Sequence, residues 1–355
     1  MDKIPIISLF CGCGGLDLGF TQERFEIVVA FDINEAAVRT YNFNRGEQVA
    51  RVADLTKLDG DDVFRILEAK HAEISPCGVV GGPPCQAFSQ SNVYSKGDDI
   101  GRSLPVRYAQ ILSTLNSRYG LDFFVFENVR GITFGRHQKE FSQFRLLFER
   151  AGFRLFDGLL DAQYFGVPQK RPRVFVVGLN RHKYPDSDFE FPQPELSRVE
   201  TVAEAIRGLP EPKCFERNLK PSDIPVHPNH WTMKPKSKRF QNGSLVEGHN
   251  GGRSFRVLSW DKPSWTVAYG NREIHIHPSG KRRLSIYEAM LLQGFPNRYQ
   301  LLGTLSEQIK QVCDAVPPSV AAALARSVRQ FLENNTDSRV DTGVDGYSPN
   351  RRQQG

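Results

Sequence analysis

Short apolar runs recur along the first half of the chain, and each is followed by a stretch of helical period. Residues 4–10 form the first run, whose unbroken apolar character predicts a buried strand. It breaks at Cys11-Gly12-Cys13-Gly14-Gly15, after which Leu16-Asp17-Leu18-Gly19-Phe20 starts a helix. A second run over 25–32 ends in Asp32 and precedes a helix over 34–44. Residues 52–55 close a third strand at Asp54-Leu55, and 61–70 has amphipathic period. Cys77, Val79 and Val80 mark a fourth strand and 122–129 a fifth, with helices over 104–119 and 138–151. Residues 156–161 and 173–179 predict two more strands. No helix joins them, so they read as an antiparallel hairpin at the end of the sheet. The alternation through residue 179 predicts an α/β fold, a mainly parallel sheet with helices on both faces.

The pattern then changes. Residues 184–228 are rich in proline and acids, with one helix over 201–207, and 213–280 holds short strand-like pieces such as 264–269 and 273–277. Residues 184–280 therefore read as a second, irregular β-containing domain after a first domain over 1–183. His275 and His277 alternate on one strand face and read as surface or DNA-facing. Helical period returns in 281–333, where Ser285 caps a helix running to Gln293 and two more follow over 305–312 and 319–333. Their apolar faces need the first domain as a partner. Residues 334–355 are polar and read as a disordered tail.

Composition narrows the function classes. With 39% hydrophobic and 24% charged residues among 355, the chain is of ordinary globular composition, and no stretch approaches a membrane span. No secretory signal is visible at the N-terminus, and six scattered cysteines make no disulfide framework, which fits a reducing cytoplasm. Cys11-x-Cys13 could hint at metal, but no second cysteine pair or cysteine–histidine pair stands at zinc-site spacing, so no metal is expected. The net charge of +6 and pI of about 9.0 favour a polyanionic partner. Lysines, arginines and aromatics interleave from Lys213 to Arg283.

Four places carry candidate chemistry. The strand–glycine–helix turn at Gly12, Gly14 and Gly15 is an arrangement that cradles nucleotide-type cofactors. Asp32 ends the second strand, where an acid accepts hydrogen bonds from ribose hydroxyls, though it would also cap the next helix. Gly81-Gly82-Pro83-Pro84-Cys85 places a thiol on a loop at a strand's carboxyl end. An isolated cysteine is more often buried and inert than reactive, so its neighbours decide. Glu127-Asn128 ends another strand near the same edge, where partial burial raises a carboxyl pKa.

Together Phe10-x-Gly12-x-Gly14-Gly15, Gly82-Pro83-Pro84-Cys85-Gln86, Glu127-Asn128-Val129, Gln169-Lys170-Arg171-x-Arg173 and Gln293-Gly294-Phe295-Pro296 resemble, in order and spacing, the C5-cytosine DNA methyltransferases of the prokaryotic modification type. The resemblance covers residues 4–330. It implies a Rossmann-like methyltransferase sheet, with a smaller target-recognition domain over 184–280. It implies S-adenosyl-L-methionine as methyl donor, S-adenosyl-L-homocysteine as product and duplex DNA as substrate. Cys85 is then the nucleophile, Glu127 holds ring N3 of the cytosine, Arg173 holds its O2, and Asn128 and Arg171 orient these groups. Cofactor contacts fall on Phe10, Gly12, Gly14, Gly15, Asp32, Ile33, Asp54, Leu55, Pro84, Leu104, Asp314 and Ala315. Asp314 departs from the family, which has asparagine before the Ala315-Val316-Pro317-Pro318 motif. DNA contacts fall on Gln86, Ser89 and Gln90 of the polar loop 86–102, on the Thr266-Val267 pair behind the flipped base, and by residue type on Lys238, Arg253, Arg256 and Arg272. The resemblance further implies a monomer in the cytoplasm, at the nucleoid, without an obligate protein partner and paired in function with a restriction endonuclease. A tRNA cytosine-5 methyltransferase and a catalytically silent DNA-binding protein are the competing readings.

Overall fold

The computed structural model of the chain describes residues 3–84, 99–195, 197–251, 255–266 and 275–335. Cys85, Gln86, Ser89, Gln90, Arg253, Val267, Arg272 and the tail from 336 lie outside the described residues.

The apolar runs form one sheet of seven strands. These are β1 (Ile4–Leu9), β2 (Phe25–Asp32), β3 (Ala50–Val52), β4 (Gly78–Gly81), β5 (Phe123–Val129), β6 (Phe153–Asp161) and β8 (Pro172–Asn180), with the short β7 (Gln169–Lys170) outside it. The order across the sheet is β3-β2-β1-β4-β5-β8-β6. The first five are parallel, and β8 runs antiparallel to both of its neighbours. The α/β expectation holds, with one difference. The third strand ends at Val52, which leaves Asp54 in a turn beyond it. The antiparallel hairpin lies at the end of the sheet as expected, with β8 beside β5 and β6 at the edge.

Helices cover both faces, which explains why the central strands carry no polar alternation. On one face α1 (Gly15–Gln22), α2 (Glu35–Arg45) and α9 (Pro318–Asn334) pack a core that includes Phe20, Val38, Leu324 and Val328. On the other, α3 (Gly60–His71), α4 (Asp99–Tyr119) and α5 (Gln138–Arg150) pack Val63, Leu112 and Phe148. Helices α1 and α9 cross closely, since a methyl on Gly19 would sit 2.4 Å from Cβ of Ala321. The C-terminal helices thus return to the first domain. Ser285 caps α7 (Ile286–Leu292) in a reciprocal box with Glu288, as its sequence predicts. Helix α8 (Leu305–Asp314) has the same box through Thr304 and Glu307.

The second region begins later than composition indicates. Tyr184 and Phe189 are buried in the first domain's core and pack their rings on Phe331 of α9. The backbone of Glu195 still bonds to Tyr164, at 3.0 Å. Apolar rings spaced through a proline-rich string cover β6 and α9 instead of opening a new domain. Beyond them α6 (Val202–Ile206), Leu258, Leu284 and Leu292 form a small core, and Phe240, Leu245, Val257 and Ile276 form another. His275 and His277 are not outward-facing. Both are buried, His275 against the Thr266 carbonyl at 3.0 Å and His277 against Ser279 Oγ at 2.9 Å. Burial pushes His275 down to about 4, so it is neutral at pH 7. Among the described residues no helix is long and apolar enough to cross a membrane.

Candidate active site

The carboxyl ends of β1, β2, β4 and β5 lie along one edge, since Leu9 is in register with Phe31 and Gly81, and Gly81 with Phe126. Such an edge is where open α/β sheets bind ligands. At the end of β1 the chain takes left-handed geometry at Phe10 (φ 57°), Gly12 (φ 53°) and Gly14 (φ 91°). For a phenylalanine that geometry is strained, and such strain collects at binding sites. Among the described residues, a methyl on Gly12 would meet nothing within 4 Å, so the backbone there is bare. A methyl on Gly15 would sit 2.3 Å from the Val316 carbonyl oxygen, so this glycine packs against the chain between α8 and α9.

Asp32 accepts from the backbone N–H of Gly12 and of Asn34, each at 2.8 Å. Burial raises its pKa, and these two donors oppose the rise. A carboxylate offers about four lone-pair positions, so two remain for vicinal hydroxyls. The side chain that caps α2 is Asn34, which leaves Asp32 free of that task. Ile33 is 66% exposed, and Val52, in register with Asp32, is 54% exposed. Both are large apolar groups facing open space at the same edge. Val52 lies in the third strand predicted from the sequence, where the expected contacts are Asp54 and Leu55, further along.

The other predicted cofactor residues divide. Pro84 is exposed. Asp54 closes its own turn, accepting from the Thr56 N–H at 3.0 Å and Oγ1 at 2.6 Å, and these bonds hold its pKa down. Leu55 and Leu104 are buried rather than lining the open edge, Leu55 in the core under α3 and α4. Ala315 is likewise packed, beside Cys13 and Val312. Asp314 is exposed and ion-paired with Lys310, and its charge helps raise Asp32.

At the end of β5, Glu127 Oε1 lies 3.2 Å from Arg173 Nε, with both side chains nearly buried. Burial raises the Glu127 pKa, against the pull of Arg173 and Arg171. The strand leading to Cys85 passes directly beside this pair. A methyl on Gly82 would sit 2.6 Å from Glu127 Oε2, which explains the glycine. Asn128 Nδ2 donates to the Pro83 carbonyl at 3.3 Å. The base of the cysteine loop is therefore pinned to the carboxylate–arginine pair, two residues short of Cys85.

Arg171 has another task than the expected one. It is buried, and its Nη2 donates to the carbonyls of Cys313 at 2.8 Å and Ala315 at 2.9 Å. Gln169 Nε2 donates to Gln293 Oε1 at 2.8 Å, and Gln293 Nε2 donates to the Ala315 carbonyl at 2.6 Å. Three conspicuous sequence motifs thus meet in one polar joint that clamps the α8–α9 connection to the hairpin. The charge of Arg171 also acts on Glu127 and opposes the rise of its pKa. The joint was invisible in the sequence, because most of its acceptors are backbone carbonyls of distant segments.

The second region is stitched to the same hairpin. β7 pairs in parallel with Ser264–Trp265, and Thr266 Oγ1 donates to the Lys170 carbonyl at 2.8 Å. Thr266 is therefore held one residue from Arg171. Lys238 is exposed. Arg256 is half-buried, with its guanidinium 5.7 Å from the Trp265 ring centroid. The described residues include no group of three or more side chains able to hold a metal.

Comparison with known proteins bears on this site. The family model for C-5 cytosine-specific DNA methylase matches residues 4–330. The Type II methyltransferase M.FnuDI of Fusobacterium nucleatum is 32% identical, over 93% of this chain and 95% of the relative. M.MthTI of Methanothermobacter thermautotrophicus is 31% identical over 93% and 98%. Among solved structures, a putative DNA modification methyltransferase encoded within an E. coli prophage superposes with a TM-score of 0.76 at 22% identity. It covers 93% of this chain and 100% of that one. The S. pombe Dnmt2 methyltransferase gives a TM-score of 0.63 at 17% identity, over 94% and 99%, and shares the fold.

Proposed function

Since the chain belongs to the C-5 cytosine-specific DNA methylases, we propose that it methylates carbon 5 of a cytosine swung out of a specific duplex DNA sequence, through a covalent bond from Cys85 to carbon 6. The observation that carries this reading is the pinning of the cysteine loop's base to the Glu127–Arg173 pair.

The bare backbone at Gly12, the Asp32 carboxylate and the apolar faces of Ile33 and Val52 fit S-adenosyl-L-methionine, as turn, ribose and adenine contacts. When bound, that group supplies an electrophilic methyl on a sulfonium. The protein's own residues do the rest. Extruding the base costs roughly a few kcal/mol, because carbon 6 is shielded in the stack. The Cys85 thiolate adds to carbon 6, which makes carbon 5 nucleophilic. Glu127 assists by giving a proton or a hydrogen bond to ring N3. Its raised pKa keeps the acid form present at higher pH than in an ordinary glutamate. Arg173 orients Glu127 and meets the base oxygen. Once carbon 5 carries the methyl, loss of its proton to a base reached through water restores the double bond and expels the Cys85 thiolate. The names of the Type II relatives favour a role in DNA modification linked to restriction.

Trapping tests the reading. With S-adenosyl-L-methionine and duplex DNA carrying 5-fluorocytosine at the methylated site, wild-type protein forms a covalent adduct stable to denaturant. Cys85→Ala keeps sequence-specific binding but forms none. A wild-type protein that methylates its site yet gives no adduct overturns the covalent route. Methyl transfer to tRNA but not to duplex DNA overturns the substrate.

A further inference from the structure

One buried carboxylate is not used by this mechanism. Asp17 stands at the third position of α1, directly behind the glycine turn, and is fully buried. Its Oδ1 accepts from Ser8 Oγ of β1 at 2.8 Å, and its Oδ2 from Tyr41 OH of α2 at 2.9 Å. One side chain thus ties together the strand, the helix and the neighbouring helix from which the turn is built.

The tie reaches the turn itself. A methyl on Gly14 would sit 2.8 Å from Cδ2 of Tyr41, so the ring that Asp17 orients lies against the turn's backbone. A second ring braces it from the same side, since Tyr299 OH donates to the Cys13 carbonyl. Asp17, Tyr41, Tyr299 and Arg45 line a small cleft there. Asp17 lines this cleft, whereas Gly12 and Asp32, bonded to each other, do not.

We propose that Asp17 is a positioning residue for the cofactor turn, setting its shape through Tyr41 and Ser8 while touching neither cofactor nor DNA. The proposal rests on the reading that this turn holds S-adenosyl-L-methionine. Burial lifts Asp17 to about 6, opposed by the Ser8 and Tyr41 bonds and by the charge of Arg45. Its other titratable neighbours lie far from that range. Burial pushes Cys13 up to about 12, and raises Cys11, Tyr41 and Tyr299 well above their ordinary values. Asp32, outside this cleft, is also raised and is separated from Asp17 by comparing variants. An ionised Asp17 accepts both hydroxyl protons. A protonated one must donate to one of them and breaks the pattern. Cofactor affinity therefore falls as pH drops through about 6.

Calorimetric titration of the full chain with S-adenosyl-L-methionine and S-adenosyl-L-homocysteine between pH 5 and 8 tests this, beside unfolding midpoints and DNA affinity without cofactor. Asp17→Asn weakens both ligands by roughly tenfold at pH 7.5, the scale of a hydrogen bond to a charged group. It also flattens the acid limb of the affinity profile and leaves DNA affinity unchanged. Tyr41→Phe keeps the ring against Gly14, removes one bond and weakens binding less, and it serves where Asp17→Asn does not fold. Unchanged affinity and pH profile in these variants, with only the unfolding midpoint lowered, overturn the positioning role. A wild-type protein that binds neither ligand at any pH overturns the underlying cofactor reading instead.

Discussion

At the ends of β1 and β2 the chain is bare. Among the described residues, Gly12 has nothing within 4 Å of a would-be Cβ, and Ile33 turns two thirds of its surface outward. Where β5 and β8 pair, the opposite holds. Glu127 faces Arg173, Arg171 spans two carbonyls, and Gln169 and Gln293 hand a hydrogen bond across to Ala315. Both regions are marked in the sequence by glycines and charged residues, yet among the described residues the first presents bare backbone and the second paired side chains. A conspicuous residue at the open edge is there to be touched. One beside the β5–β8 pairing holds either a reacting group or another part of the chain.

That contrast can be broken at several points. The largest effect is expected at Glu127→Gln, which keeps shape but removes the acid. Methyl transfer falls by roughly 10²–10⁴-fold, read in single turnover, while the unfolding midpoint changes little. An unchanged rate would move Glu127 from the chemistry to the scaffold. Next is Arg171→Met, which leaves the Cys313 and Ala315 carbonyls buried without this donor and costs about 2–5 kcal/mol of stability. Denaturant titration measures it, and a loss of activity without loss of stability would return Arg171 to the reacting groups. Gly12→Ala costs about 1–2 kcal/mol for the left-handed backbone and also blocks the open face, so cofactor affinity drops further than stability does. Ile33→Ser is expected to lie within about 0.5 kcal/mol in stability and to show itself only as weaker cofactor binding. The smallest effect is the pH slope of stability from Glu127. Its folded pKa is raised by burial, so the folded state binds more protons than the unfolded one, and stability declines as pH climbs from the ordinary carboxyl range through the raised value. Glu127→Gln abolishes that slope, and stability curves for both proteins across this range check it.

Much of this could be read from the chain and some could not, for physical reasons. The strands were legible because central parallel strands are apolar on both faces, and the helix at 286–292 because its cap, Ser285, is local. The insertion of β8 between β5 and β6 was not legible, since pairing across a sheet leaves no local signal. Nor was the role of Arg171, whose partners lie more than a hundred residues away and are backbone atoms. His275 and His277 were misread because alternation tells which residues share a face but not which face is covered. Asp54 looked like a strand-end ligand, but Thr56 two residues on made a turn the better outlet for its carboxylate.

The packing of Gly15 against the Val316 carbonyl has a consequence for how the protein comes into being. The turn and the segment that rests on it lie far apart in the chain, at residues 15 and 316. Closing so long a loop costs entropy that only native packing returns. A nascent chain therefore carries strands β1 to β5 before the segment that packs on Gly15 exists, and the proposed cofactor cradle is complete only once α9 has docked on α1. Ligand added during refolding should accordingly speed nothing before that last docking step, and should stabilise only the docked chain.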